Sequence, residues 1–272
     1  MAEKQVLRPV QYGGPTDKCA ITVRLGVEVG IFKEEGLDLS VRVIFGGPEI
    51  AAAYDSGELE IGEFGSPPAI NAIASGKRFK VVGGGCRQNA HLYFCAAKGI
   101  DGYAALRGKR VGVLGIGSCS DWITRKVVSH HGLDPDSDIE IVPLLSDYPR
   151  VVDLVADGAL DACMITEPSV AVGEERGVLD FWAAGYEDPY LPDYQWIVRV
   201  ARDELIERDP DLIRAVLRGC RKSAHYAAAH VDEWIALAAR QFGISEQAAR
   251  RAVERELPRL ELDCGLDMAG LQ

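Results

Sequence analysis

The sequence predicts an α/β protein of two lobes, each a β-sheet flanked by helices, joined by two crossing strands. Three observations carry this expectation. The 272 residues correspond to about 1.8 domains at roughly 150 residues each, enough for two lobes or one large domain. Short β-rich runs alternate with helix-length amphipathic stretches, which is the punctuation of α/β folds. A weak internal repeat links two parts of the chain: Gly57-Glu58-Leu59-Glu60 returns as Gly158-Ala159-Leu160-Asp161, and Pro67 as Pro168, both 101 positions later.

Strands are expected at residues 6–12, 39–45, 59–64 and 79–82, with helical candidates between them. The first helix is read over residues 18–35, with Ile21, Leu25, Val29 and Phe32 on one stripe and Gly36 as its stop. In the second lobe a strand at 110–114 meets Gly115-Ile116-Gly117-Ser118-Cys119-Ser120, a helix runs to His131, and a strand follows at 139–143. The chain then turns helical, with Asp209-Pro210 opening a helix over 211–229, then 232–241 and 245–256. No linker rich in Pro, Gly or Ser separates the parts, so the lobes are expected to be closely joined. Residues 1–97 with 195–272 are assigned to the first lobe and 98–194 to the second. The C-terminal helices are read as scaffold closing the first.

Composition narrows the function. With 47% hydrophobic and 26% charged residues the chain has the balance of a folded globular protein. Its formal charge of −11, without a basic run, argues against nucleic acid. No apolar run approaches the roughly 18 residues of a membrane span, and no secretory signal pattern opens the chain, so as written it is expected in the cytoplasm. An upstream signal, if removed, would make it periplasmic or surface-bound. Seven cysteines without a CxxC pair signal neither a disulfide framework nor a zinc ribbon. No metal or cofactor is expected.

Four stretches carry a family resemblance: 30–38 (Gly-Ile-Phe-Lys-Glu-Glu-Gly-Leu-Asp); 56–62 followed by Pro67 and Ala69; 106–113 (Leu-Arg-Gly-Lys-Arg-Val-Gly-Val); and 157–162 with Glu167-Pro168. In these the chain resembles the type 2 periplasmic-binding-protein fold. Within it, the chain is similar to the branch of nitrate, sulfonate and taurine solute-binding proteins and thiamine-pyrimidine synthase-like proteins. The resemblance implies a small molecule held in the inter-lobe cleft by loops that follow the strands. Physics agrees, because strand-to-helix turns put backbone N–H groups and a partial positive charge there. The ligand-binding candidates are Thr16, Asp17, Lys18 and Cys19; Gly46 and Gly47, with Pro48; Phe64, Gly65 and Ser66; Cys86 and Arg87, with Gln88; Ser118, Cys119 and Ser120; and Tyr148 and Glu167.

Gly115, Gly117 and Ser120 resemble part of a dinucleotide fingerprint, but the next strand ends Val142-Pro143-Leu144-Leu145 without the required acid. Ser118 and Ser120 remain as ligand anchors or plain helix caps. A thiol at a helix N-terminus has its thiolate favoured, which makes Cys19 the candidate catalytic residue and Cys119 a second thiol of the same kind. The aryl-sulfinate desulfinases on this fold are similar in placing a Cys after the first strand. However, no His stands in the Gly46-Gly47-Pro48 loop, and Glu63 and Phe64 occupy the place of a sulfinate-binding Arg. His91 is read as a satisfied, partly buried histidine, and His225 and His230 miss the i, i+4 spacing of a metal face. Tyr12, Phe64, Tyr148 and Trp196 are either ligand-sandwiching rings or lobe core.

Two functions follow. The leading one is reversible capture of an anionic or aromatic organic solute by closure of the cleft, in the manner of an ABC-transporter solute-binding protein, with a permease as partner if the chain is exported. The alternative is a cytosolic enzyme on the same fold, a lyase, desulfinase, decarboxylase or pyrimidine-synthase-like protein, with Cys19 as its reactive group.

Overall fold

The structure, a computed structural model, describes residues 6–86, 91–185, 187, 194–269 and 271. In the first lobe the order is β1 (Arg8–Gly14), α1 (Ile21–Glu28), α2 (Ile31–Glu34), β2 (Leu37–Val43), α3 (Gly47–Ser56), β3 (Ile61–Gly65), α4 (Ser66–Ala74) and β4 (Phe79–Gly84). The second lobe holds β5 (Tyr93–Ala97), β6 (Lys109–Val113), α5 (Cys119–His130), β7 (Ile139–Pro143), α6 (Val151–Ala156), β8 (Ala162–Ile165), α7 (Ser169–Glu175) and β9 (Leu179–Ala184). The chain then returns through β10 (Ile197–Arg202) and ends in α8 (Asp203–Arg208), α9 (Pro210–Ala229), α10 (Val231–Phe242) and α11 (Glu246–Glu256).

Each lobe is built on a five-stranded sheet, ordered β2-β1-β3-β10-β4 in one and β7-β6-β8-β5-β9 in the other. In both, the strand next to the edge runs antiparallel to its neighbours, and it is the strand that has crossed from the other lobe or is about to be left by a crossing. The repeat in the sequence is this architecture. Tyr12 and Gly13 face Ile61 and Gly62 in the first sheet, while Val111 and Gly112 face Ala162 and Cys163 in the second, so β3 and β8 occupy matching registers at the same 101-residue offset. Gly57 and Gly158 both hold a left-handed backbone, with φ of 87° and 69°, at the turn that feeds those strands.

Both faces of each sheet are covered. Val10, Phe32, Leu212 and Val216 fill one side of the first sheet, and Tyr54, Phe64 and Phe79 the other. In the second lobe Phe94, Ile123 and Val127 lie under α5, while Val151, Val155 and Val170 lie under α6 and α7. The long α9 begins where Asp209 accepts a hydrogen bond from Leu212 N at 3.0 Å, a cap worth about 1 kcal/mol.

Three expectations need correction. The first helix is not continuous: Gly30, at φ 87°, breaks it into α1 and α2, since the turn requires a left-handed residue. The boundary at 97/98 falls too late, because β5 pairs with β8 and β9 of the second sheet. The C-terminal helices do not close the first lobe alone. The α11 helix buries Ala248 and Ala252 against Ala171 of α7, while Ala249 and Val253 pack into the cluster of Ile21, Leu25 and Trp234. One helix is therefore anchored to both lobes.

Candidate functional site in the cleft between the lobes

Strands β1, β2 and β3 point their C-terminal ends at those of β6, β7 and β8, and the turns that follow them enclose a chamber. Its wall takes Thr16, Cys19, Gly47 and Gly65 from the first lobe, Ser118, Cys119, Ser120, Tyr148 and Thr166 from the second, and Trp196 from the returning crossover. Three helices of nine to twelve residues, α3, α4 and α5, start at this wall. Their N-terminal ends bring partial positive charge to one small volume. None of the described residues lining the chamber is ionised.

The polar groups of the wall are held in place. Ser118 caps α5 by accepting from Asp121 N, and its Oγ lies 2.9 Å from Ser120 Oγ, which in turn accepts from Leu114 N. Tyr148 OH accepts from Thr166 N at 2.9 Å and lies 3.3 Å from Thr166 Oγ1. Thr16 Oγ1 accepts from Cys19 N and donates to Cys19 Sγ at 3.3 Å. The lobes touch across the chamber: a Cβ on Gly65 would overlap Cys119 Sγ, and a Cβ on Gly115 would come within 3.8 Å of Gly46 Cα.

Around this chamber the charged residues are paired. Lys18, 8% exposed, lies 3.0 Å from Glu256 and 5.3 Å above the Trp196 ring. Burial works against the Lys18 ammonium, but Glu256 outweighs it and raises its pKa. Burial likewise opposes the Glu256 carboxylate, but Lys18 and His91 bring its pKa below the ordinary range. Asp17 pairs with Arg24 and accepts from Gln241. Glu63 accepts from Tyr12 OH at 2.8 Å and faces Arg199, forming a buried network behind the chamber. Glu167 accepts from Arg255 and from Ala171 N; burial raises its pKa to about 7 against the pull of Arg255.

The structure therefore sorts the expected site residues. Thr16, Cys19, Gly47, Gly65, Ser118, Cys119, Ser120 and Tyr148 meet around the chamber. Asp17, Lys18 and Glu167 line the mouth beside it, and Gly46 caps α3 behind Gly47. Phe64 is not at the site: it is fully buried and stacks on Tyr54 at 5.6 Å inside the first lobe. Ser66 is also buried, with its hydroxyl donating to Gln195 O and its N–H to Trp196 O, so it fastens the crossover. Cys86 faces a second, polar chamber behind Trp196, and Arg87 and Gln88 lie outside the described residues. Tyr12 is core. His91 is buried, with Nδ1 3.1 Å from Glu256 Oε1, while Nε2 has no hydrogen-bond partner among the described residues.

Thr166, Leu92 and Leu114 belong to the chamber and were not singled out from sequence. Thr166 carried a usable signal, since it stands 101 residues after Gly65 in the internal repeat. The candidate nucleophile lacks activation. Burial pushes the Cys19 thiol up to about 11 despite Lys18 nearby, and its hydrogen-bond partner is the Thr16 hydroxyl. Burial pushes Cys119 and Cys86 up to about 12. Thiols held protonated in this way are the opposite of what nucleophilic attack needs. Among the described residues no group of three or more His, Cys, Asp or Glu is placed to hold a metal ion, and no helix is long and apolar enough to cross a membrane.

Two α/β sheets with this strand order, and a chamber walled by the turns of both, give the chain the periplasmic-binding-protein-like fold. Within it, the NMT1/THI5-like family profile matches residues 21–234, and the chain belongs to that family. YtlA of Bacillus subtilis (strain 168) is 23% identical over 237 residues, 73% of this chain and 71% of its own. A Bordetella bronchiseptica RB50 protein superposes with a TM-score of 0.84 at 18% identity, over 98% of this chain and 87% of its own. The alkanesulfonate-binding protein SsuA of Xanthomonas axonopodis pv. citri, solved with MOPS bound, gives 0.77 at 17% identity over 94% and 86%. The periplasmic aliphatic sulphonate-binding protein SsuA of Escherichia coli gives 0.71 at 20% over 92% and 83%.

Proposed function

We propose that the protein is a solute-binding protein that captures a small anionic organic molecule in the inter-lobe chamber by closure and releases it unchanged to an ABC permease. The observation that carries this reading is the chamber itself. Three helix N-termini and a set of fixed hydroxyls surround a space lined by no ionised side chain among the described residues. Such a wall favours a negative head group without the cost of breaking an ion pair. The high thiol pKa values support capture over covalent chemistry. The sulfonate-binding names of two structural neighbours support the ligand class, and the word periplasmic in one supports work outside the cytoplasm with a permease as partner.

The test is isothermal titration with methanesulfonate and hexanesulfonate and, as carboxylate counterparts, acetate and heptanoate, each against the neutral alcohol of the same chain length. Binding of one anion per chain, with the alcohol at least tenfold weaker, is the expected result. Equal binding of alcohol and anion, or no binding by any anion, would overturn the anionic reading.

A further inference from the structure

The last turn of α11 puts two opposite charges side by side and aims them at different lobes. Arg255 reaches the second lobe. It donates to Glu167, in the turn after β8, and at 2.8 Å to Glu174 of α7. Its guanidinium lies 5.8 Å and 5.6 Å from the ring centres of Tyr93 and Phe181, both in that lobe's sheet. Glu256 turns toward the first lobe. It stands 3.0 Å from Lys18, in the turn after β1, and 3.1 Å from His91 Nδ1, just before the chain enters β5.

The two grips differ in kind. On the first-lobe side Lys18, His91 and Glu256 are all buried, and Ala249 and Val253 sit among the large apolar Ile21, Leu25 and Trp234. Breaking a dry ion pair and that packing is costly. Toward α7 the helix buries only Ala248 and Ala252, against Ala171. The remaining bonds on this side are polar: Arg255 is 25% exposed, Glu174 is 28% exposed, and Ser245 Oγ donates to the exposed Glu175 at 2.7 Å from the other end of the helix. Glu167 is buried, yet it lies on the wall of the mouth pocket beside the chamber, so parting the lobes brings water to it. Small residues give up little apolar area when they separate, and water takes over hydrogen bonds to exposed charges. The α11 helix is thus fixed to the first lobe and detachable from the second.

We propose that Arg255 is a clasp between the lobes: carried on α11 with the first lobe, it grips Glu167 and Glu174 when the cleft closes on its solute and releases them when the cleft opens. The proposal rests on the capture reading above and adds what regulates closure of that site. Neither Arg255 nor Glu174 lines the chamber or the mouth pocket. Both therefore act on a bound solute only through how the lobes sit, as positioning residues.

The experiment pairs isothermal titration with hexanesulfonate and small-angle X-ray scattering of the unliganded protein. It compares the wild type with Arg255→Gln, Arg255→Lys, Glu174→Gln and the double variant Arg255→Gln with Glu174→Gln, a thermal melt confirming that each is folded. Arg255→Gln loses two charge-assisted hydrogen bonds of the closed arrangement, so affinity should fall by about tenfold or more, and the radius of gyration should exceed that of the wild type. Arg255→Lys keeps the charge without the fork and should fall between the two. Glu174→Gln should move both readings the same way by less, and the double variant should be within about twofold of Arg255→Gln, because one contact is lost only once. Should Arg255→Gln fail to fold, the half-buried Glu174→Gln decides alone. Wild-type affinity and radius in the single variants, or a double variant whose loss is the sum of both, would overturn the clasp. No binding of hexanesulfonate by the wild type would count against the capture reading instead, and the unliganded radii would then decide the clasp by themselves.

Discussion

Gly65→Ala is the most informative single change, because its consequence is confined to the contact between the lobes. Gly65 ends β3 on the first lobe, and Cys119 opens α5 on the second. A Cβ at position 65 would come closer to Cys119 Sγ than the 3.0 Å that real Cβ atoms keep, while its next neighbours, Pro68 Cγ and Cδ, stand at 3.4 and 3.5 Å in tolerable contact. The overlap is therefore with the other lobe and not with Gly65's own. Cys119 is 8% exposed and seated in the second lobe's core cluster, so it has little room to retreat. Overpacking of this size costs about 1–3 kcal/mol, which predicts a loss of about 5- to 150-fold in affinity for hexanesulfonate. The same substitution should leave the unliganded melting temperature within about 2 °C, since lobes that part slightly no longer feel it. Cys119→Ala in the Gly65→Ala background should recover most of the affinity, because it removes the colliding sulfur. Wild-type affinity in Gly65→Ala, or a double variant as weak as the single one, would refute the argument that these two residues set how far the cleft closes.

Three further outcomes follow from the charges and glycines. Lys18→Met leaves Glu256 buried without its cation and should cost about 3–5 kcal/mol of unfolding free energy in urea titrations, whereas Lys18→Met with Glu256→Leu should cost less than half of that; equal losses would show that the pair is not coupled. Glu167, with its pKa raised to about 7 from an ordinary 4.5, binds its proton more tightly folded than unfolded. Its contribution to stability is thus full below about pH 4.5 and is lost as pH rises through about 7. Between those limits the wild type should lose stability relative to Glu167→Gln as pH rises, and parallel pH profiles for the two proteins would contradict the shift. Gly62→Ala drives a Cβ into the backbone of Gly13 where β1 and β3 pair, and should lower the melting temperature by several degrees; an unchanged melt would contradict the register.

Much of the fold was legible because local rules act on short stretches. The expected strand at 139–143 is β7, and the three long C-terminal helices begin and end within two residues of their expected limits. The internal repeat was readable because the same turn, with a left-handed glycine at Gly57 and Gly158, is needed before the same central strand in both lobes. What misled the reading was tertiary. Gly30 falls inside the single helix expected over 18–35, yet it breaks that helix so that α2 can fold back toward β2. All five residues of β3 are buried, so no alternation of polar and apolar marks which face Phe64 occupies, and the sequence left ligand wall and lobe core both open for it.

The site was legible to the extent that it follows strand ends. Thr16, Gly47, Gly65 and Ser118 to Ser120 all sit where a strand hands over to a helix, a position that sequence punctuation reveals. Trp196, Leu92 and the mouth pocket depend on crossovers and on a helix turn more than 200 residues from Thr16, and no local pattern announces such a meeting. Glu256 is similar. At the end of an ordinary amphipathic helix it reads as a solvated acid, but it is the buried partner of Lys18 and neighbour of His91.

Native mass spectrometry of the protein as isolated from its own host, followed by release of any solute and its return to wild type and Cys19→Ala, bears most directly on the claim of capture without chemistry. The account predicts one anionic solute per chain that leaves and rebinds with unchanged mass, with affinities for the two proteins within about threefold of each other. A solute that returns at a different mass from the wild type, and unaltered from Cys19→Ala, would contradict it and identify Cys19 as a reacting group.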